Sequence, residues 1–221
     1  MAITREQVDE AEKDLAAKLK KLRQAKKGIK GPDPESERIR LAKYMREKSK
    51  KAAEIGSLPA VVHPKRKKRC RLSLLNFLTT YFPHSTGLRK FSDDHFRVIA
   101  RIQDAILRGG RLINAVYREF AKTTISENSL IWAALYGHRS FGLVVGVNKD
   151  ASTANIESIK SELASNELLL NDFPEVCFPV QALEGKPQRC ASQTCGGVPT
   201  HMIWRADVLV MPTVEGSAAS G

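Results

Sequence analysis

Seven consecutive residues, Phe141 to Val147, read FGLVVGV. The run is apolar at every position and rich in β-branched side chains, as expected of a parallel strand covered on both faces. Two other stretches predict strands: Arg111 to Val116, and Ala206 to Met211 (ADVLVM). Helices are predicted between them, one from Lys122 to Tyr136 closed by Gly137, the other over about residues 152–164, with 166–172 extending it. A strand, turn, helix, strand, helix order implies a right-handed parallel α/β sheet.

Upstream of this region the pattern is helical. Thr4 and Gln7 form a capping-box pattern, and Val8, Ala11, Leu15, Leu19 and Leu22 follow at helical spacing. Gly28 and Lys30-Gly31-Pro32 end that helix. A second is predicted from a cap at Asp33, with Pro34 at its first position, to about Ile55. Residues 57–64 (SLPAVVHP) read as a linker. Leu72 to Phe82 predicts a short buried helix, Pro83 to Lys90 a loop, and Ser92 caps a helix from Asp93 to about Arg108, stopped by Gly109-Gly110.

Charge separates the two regions. Of 36 Lys+Arg, 22 lie in residues 1–71, with 10 of the 24 Asp+Glu, so the whole net charge of +12 falls in the first third. Such asymmetry points to a basic appendage that meets an acidic partner. Its densest part is Lys65-Arg66-Lys67-Lys68-Arg69-Cys70-Arg71, six basic residues in seven. Clustered cations favour phosphate contacts through counterion release, and the same run also fits a solvated flank. No stretch of about 18 apolar residues predicts a membrane span, and the charged N-terminus lacks a secretory h-region. The four cysteines are too sparse for a disulfide scaffold, and a reduced cytoplasmic setting fits them.

The stretch that points to chemistry is Ala115-Val116-Tyr117-Arg118-Glu119-Phe120-Ala121-Lys122-Thr123-Thr124, between a predicted strand and a predicted helix. A helix N-terminus presents free N–H groups and the positive end of the helix dipole, which suits phosphate. Lys122 would reach the β- and γ-phosphates of ATP, and the Thr123 hydroxyl would ligate Mg2+. Relative to the general pattern G-x-x-x-x-G-K-[ST], Val116 and Ala121 stand where glycines are usual. Alanine in a left-handed conformation costs about 1 kcal/mol.

At these residues the chain resembles the Walker A segment of the large terminase subunits of tailed phages, which often reads Ala-x-Pro-Arg-x-x-Gly-Lys-[ST]-[ST]. Ala115, Arg118 and Lys122-Thr123-Thr124 match; Tyr117 and Ala121 depart from it. The flanking order is also similar over about residues 72–221: a Ser-x-x-His helix, a Gly-Gly stop, the loop, the FGLVVGV run and an Asp-Phe-Pro segment.

The resemblance implies an incomplete P-loop NTPase-type parallel sheet, truncated before its Walker B motif, with an N-terminal basic α-helical extension. It divides the chain into residues 1–56 (a basic helical hairpin or coiled coil), 57–71 (a basic linker) and 72–221 (a partial ATPase domain). It implies ATP and Mg2+ at Tyr117, Arg118, Glu119, Phe120, Ala121, Lys122, Thr123 and Thr124, with Arg118 contacting the γ-phosphate. Thr123 would be the magnesium ligand. It further implies double-stranded DNA as partner, met by Lys65, Arg66, Lys67, Lys68, Arg69 and Arg71, with portal, small terminase subunit and homo-oligomer contacts in the host cytoplasm. No apolar strand ends in Asp-Glu, so little turnover is expected of this chain alone. The alternative is a basic adaptor for nucleic acid or a protein partner, carrying a degenerate α/β body.

Other constellations are weaker. Cys190 and Cys195, with His201 and Cys177, lack the tight C-x2-C spacing of a zinc site. His95, at the third position of a helix, suits local capping or packing.

Overall fold

A computed structural model describes residues 34–86, 91–214 and 217–218, together with Lys13, Ala17, Lys18 and Lys20. The first predicted helix, with its Thr4 capping box, lies outside the described residues. The chain divides into two compact units, Met1–Ser49 and Lys50–Gly221. In the first, helix α1 (Pro34–Ala53, its last turn in the second unit) starts with Pro34, which needs no N–H there, and carries Glu35 and Glu37 in its first turn.

The second unit is built from short helices, each started by local chemistry. Helix α2 (Pro64–Cys70) opens on a proline. Helix α3 (Leu74–Tyr81) is capped by the Ser73 hydroxyl, which accepts from the Asn76 N–H, and buries Leu74, Phe77, Leu78 and Tyr81 at helical spacing. A short helix, α4 (Pro83–Thr86), follows. Helix α5 (Asp93–Arg108) stops at Gly109, whose φ of 87° is easy only for glycine. Helix α6 (Lys122–Leu135) buries Ile125, Ile131, Trp132 and Leu135, and packs against α3, α5 and α7. Helix α7 (Lys149–Ser165) is capped by Asn148, and α8 (Glu167–Asp172) by Asn166, whose Oδ1 accepts from the Leu168 and Leu169 N–H groups. Helix α9 (Pro174–Gln181) leads to a 3-10 turn, Pro187–Ser192. The core is one cluster centred on Phe77, Tyr81, Phe82, Trp132, Tyr136 and Phe173.

The expected parallel sheet is overturned. Among the described residues the protein is mostly helical, at 59%, and the strands are two residues long and form two antiparallel pairs. Strand β1 (Thr194–Cys195) pairs with β2 (Val198–Pro199), and β3 (Ile203–Trp204) with β4 (Leu209–Val210). Of the three predicted strands, only part of Ala206 to Met211 is in a ladder. Arg111 to Val116 and Phe141 to Val147 lie in no strand and make no backbone–backbone hydrogen bonds among the described residues. The physical reason is that strand formation depends on neighbours: a β-rich run without an adjacent strand has no ladder to join.

The segment read as a basic linker also differs. Helix α2 lies in it, and its end is held by the core: Trp132 Nε1 donates to the Cys70 carbonyl at 3.0 Å, and the Tyr136 hydroxyl donates to the Lys67 carbonyl at 2.6 Å. Cys70 is fully buried. Among the described residues no helix is long and apolar enough to cross a membrane.

Candidate functional site

The stretch from Arg111 to Thr124 is a local unit. Beyond Gly110 the chain runs extended, with side chains alternately exposed and half-buried up to Val116, then turns through Arg118 and Glu119 into α6. Two residues of the turn take left-handed conformations, Glu119 at φ 71° and Ala121 at φ 56°, ψ 25°. Ala121 is thus left-handed at a position where the resemblance leads one to expect glycine.

Phe120, between these two residues, pins the turn. It is buried and stacks on His95, with ring centroids 4.0 Å apart and planes 3° from parallel. Tyr117 meets its edge at 5.4 Å. His95 is itself fixed at the start of α5, where its Nδ1 accepts from the Ser92 N–H at 3.2 Å. Phe120 is therefore an anchor and its side chain is not presented to a ligand.

The rest of the turn faces outward. Tyr117, Arg118, Glu119, Ala121, Lys122 and Thr123 are exposed, and Thr124 is half-buried. Lys122 occupies the first position of α6, and its Nζ folds back to 3.5 Å from the Val116 carbonyl oxygen. The first α-helical bond runs from the Ile125 N–H to the Ala121 carbonyl at 2.9 Å. The N–H groups of Lys122, Thr123 and Thr124 have no backbone acceptor among the described residues. No acidic residue lies in the first turn, and Arg118 makes no ion pair among the described residues. The set fits an anion: unsatisfied donors, a positive dipole end and an adjacent ammonium. Within the first turn of α6 it fits Mg2+ only through the Thr123 hydroxyl, since no carboxylate stands there. Surface hollows of about 550 Å3, beside Lys160 and Trp204, and about 400 Å3, beside His84 and Glu162, lie elsewhere.

The six basic residues of the 65–71 run separate into two sets. Arg66 donates to Asp172 from Nε at 2.6 Å and from Nη2 at 3.0 Å. Lys67 Nζ lies 2.6 Å from Glu175 and 4.5 Å from the centre of the Phe173 ring. These two cations serve the fold. Lys65, Lys68, Arg69 and Arg71 are exposed. Asp172 is fully buried and also accepts from the Tyr81 hydroxyl at 2.6 Å. Burial and then this bond raise the Tyr81 pKa far above the ordinary phenol range. Asp172 and Glu175 were not singled out individually from the sequence. The signal available was their position beside Phe173-Pro174, where α8 gives way to α9.

A second polar device was also unforeseen. The Glu54 carboxylate accepts from the Thr194 hydroxyl at 2.8 Å and from the N–H groups of Gly56, Gly196 and Gly197 at 2.9–3.0 Å. It ties the end of α1 to the β1–β2 turn. The Thr194 bond chiefly, aided by the glycine amides, holds the Glu54 carboxyl below its usual range.

All four cysteines are free; Cys70, Cys177 and Cys190 are buried. Burial pushes the Cys177 thiol up to about 12, so it is inert at neutral pH. Among the described residues no group of three or more His, Cys, Asp or Glu is placed to hold a metal ion.

In comparisons with known proteins, no family model, no curated protein and no solved structure matches the chain.

Proposed function

We propose that the turn Tyr117–Thr124 binds the phosphates of ATP, and that the chain is the ATP-binding part of a DNA-packaging ATPase of the large-terminase kind. One observation carries this reading: left-handed Ala121 immediately precedes Lys122 at the head of α6, with the lysine amine folded over the turn. The reading rests on this local geometry, not on a sheet.

In this reading the N–H groups of Lys122, Thr123 and Thr124 receive phosphate oxygens. Lys122 Nζ leaves the Val116 carbonyl for the β- and γ-phosphates, a charge-assisted bond replacing a weak one. Thr123 offers its hydroxyl to Mg2+, and exposed Arg118 reaches the γ-phosphate. With no acid in the first turn of α6 and no apolar strand ending in Asp-Glu to polarise water, turnover by this chain alone is slow. Double-stranded DNA meets Lys65, Lys68, Arg69 and Arg71. Portal and small-subunit contacts, self-association and a place in the host cytoplasm follow from the resemblance alone.

The test is titration with ATP and Mg2+ of the wild type and of Lys122→Ala. The expected result is a loss of affinity of at least about tenfold, the weight of one charge-assisted contact. Equal affinity would remove the site.

A second reading is favoured by the exposed half of the basic run: an adaptor whose helical body presents α2 to nucleic acid. It expects salt-sensitive DNA binding that survives Lys122→Ala and fails when Lys65, Lys68, Arg69 and Arg71 are neutralised.

A further inference from the structure

The run Phe141–Val147 is wholly apolar, without a charge, and lies in no helix or strand. Its two faces differ. Phe141, Leu143, Val145 and Val147 are 80%, 73%, 81% and 102% exposed. Val144 and Gly146 are half-buried, and Gly146 lets the backbone lie close to the body. A Cβ on Gly146 would stand 2.6 Å from the Ser152 nitrogen, and one on Gly142 would stand 3.5 Å from Leu130 Cδ2. Among the described residues no N–H or carbonyl from Phe141 to Val147 has a hydrogen-bond partner. A β-rich segment whose backbone groups are unpaired, with four exposed apolar side chains at alternate positions, is a template for pairing with another strand.

We propose that this edge pairs with the same run of a second copy, as antiparallel strands about a two-fold axis at Val144. The sequence complements itself in that register. Phe141 stands opposite Val147 and Leu143 opposite Val145, so the exposed side chains of both copies fall on one continuous apolar face. No charge interrupts the paired segment. Each copy carries a net charge of +12, and salt screens the repulsion between two copies.

The test is sedimentation of the full chain across a concentration series at low and high salt. A dimer is expected whose fraction rises with protein concentration and with salt. Val145→Lys places two ammonium groups in the paired face and is expected to weaken the dimer at least about tenfold. Val145 is exposed, so the helical circular dichroism of that variant should be unchanged. The register is read separately. A mixture of Leu143→Cys and Val145→Cys chains should cross-link to a heterodimer far faster than either variant alone. A monomer throughout the series overturns the proposal, as does pairing only with a different polypeptide. Irregular aggregation without a dimer, or cross-linking indifferent to position, also overturns it.

Discussion

Arg66 and Asp172, 106 residues apart in the chain, form a two-point ion pair, with nitrogen–oxygen distances of 2.6 and 3.0 Å. The carboxylate is fully buried, while the Arg66 side chain keeps 22% of its exposure. Removing the arginine strands a buried charge, whereas removing the acid leaves a cation that can turn to water and deprives the neutral Tyr81 hydroxyl of its acceptor, a loss of about 1–3 kcal/mol. Arg66→Ala is therefore expected to cost about 3–5 kcal/mol, and Asp172→Ala less. Lys65→Ala, on the same helix but exposed, should stay within about 0.5 kcal/mol of wild type. Urea denaturation of the three variants checks the order.

Ala121 sits at φ 56° with no side-chain cap of its own. Ala121→Gly relieves the Cβ crowding of the left-handed conformation and should stabilise the protein by up to about 1 kcal/mol, reduced by the freedom glycine adds to the unfolded chain. A rise in thermal midpoint is the expected outcome. A fall of the size usual for Ala→Gly in an ordinary conformation would mean that the turn does not hold this residue left-handed in solution.

Glu54 titrates below its ordinary value of 4.5 because the folded state donates hydrogen bonds to its carboxylate. A lowered folded pKa means that the clamp contributes fully above the unfolded value and fades as pH falls through the folded one. Amide exchange at Gly196 and Gly197 should therefore quicken, relative to the rest of the fold, below about pH 4.5. Glu54→Gln should remove that pH dependence. Hydrogen exchange read by mass spectrometry or NMR measures both.

The divided basic run makes a prediction about DNA. If Lys65, Lys68, Arg69 and Arg71 meet phosphates, neutralising each should lower the slope of log affinity against log salt by about 0.9. Arg66 and Lys67 face Asp172 and Glu175, so their neutralisation should act through stability and leave the slope of the folded fraction unchanged. Affinity measured at several salt concentrations separates the two sets.

The helices were legible because their signals are local. Ser92 and Gly109 bracket α5, and the apolar run Leu72 to Phe82 contains α3, whereas α7 starts three residues before its predicted start because Asn148 caps it. The left-handed position at Ala121 was legible too, since the residue stands where the pattern G-x-x-x-x-G-K-[ST] has a glycine. The strands were not. FGLVVGV has the composition of a buried parallel strand, but composition supplies no neighbour to bond with, and the run lies open on one face.

By itself the amino-acid sequence determined where α1, α3, α5 and α6 lie, that a lysine heads α6, and that positive charge gathers in the first third. Caps, glycine stops and side-chain spacing act within a few residues, and charge is counted without coordinates. Tertiary structure alone decided which cations of residues 65–71 are consumed by acids more than a hundred residues away, and that two β-rich runs stay unpaired. Ion pairs and β-ladders both need a partner brought from a distant part of the chain, and only the packing of the helices settles whether one arrives.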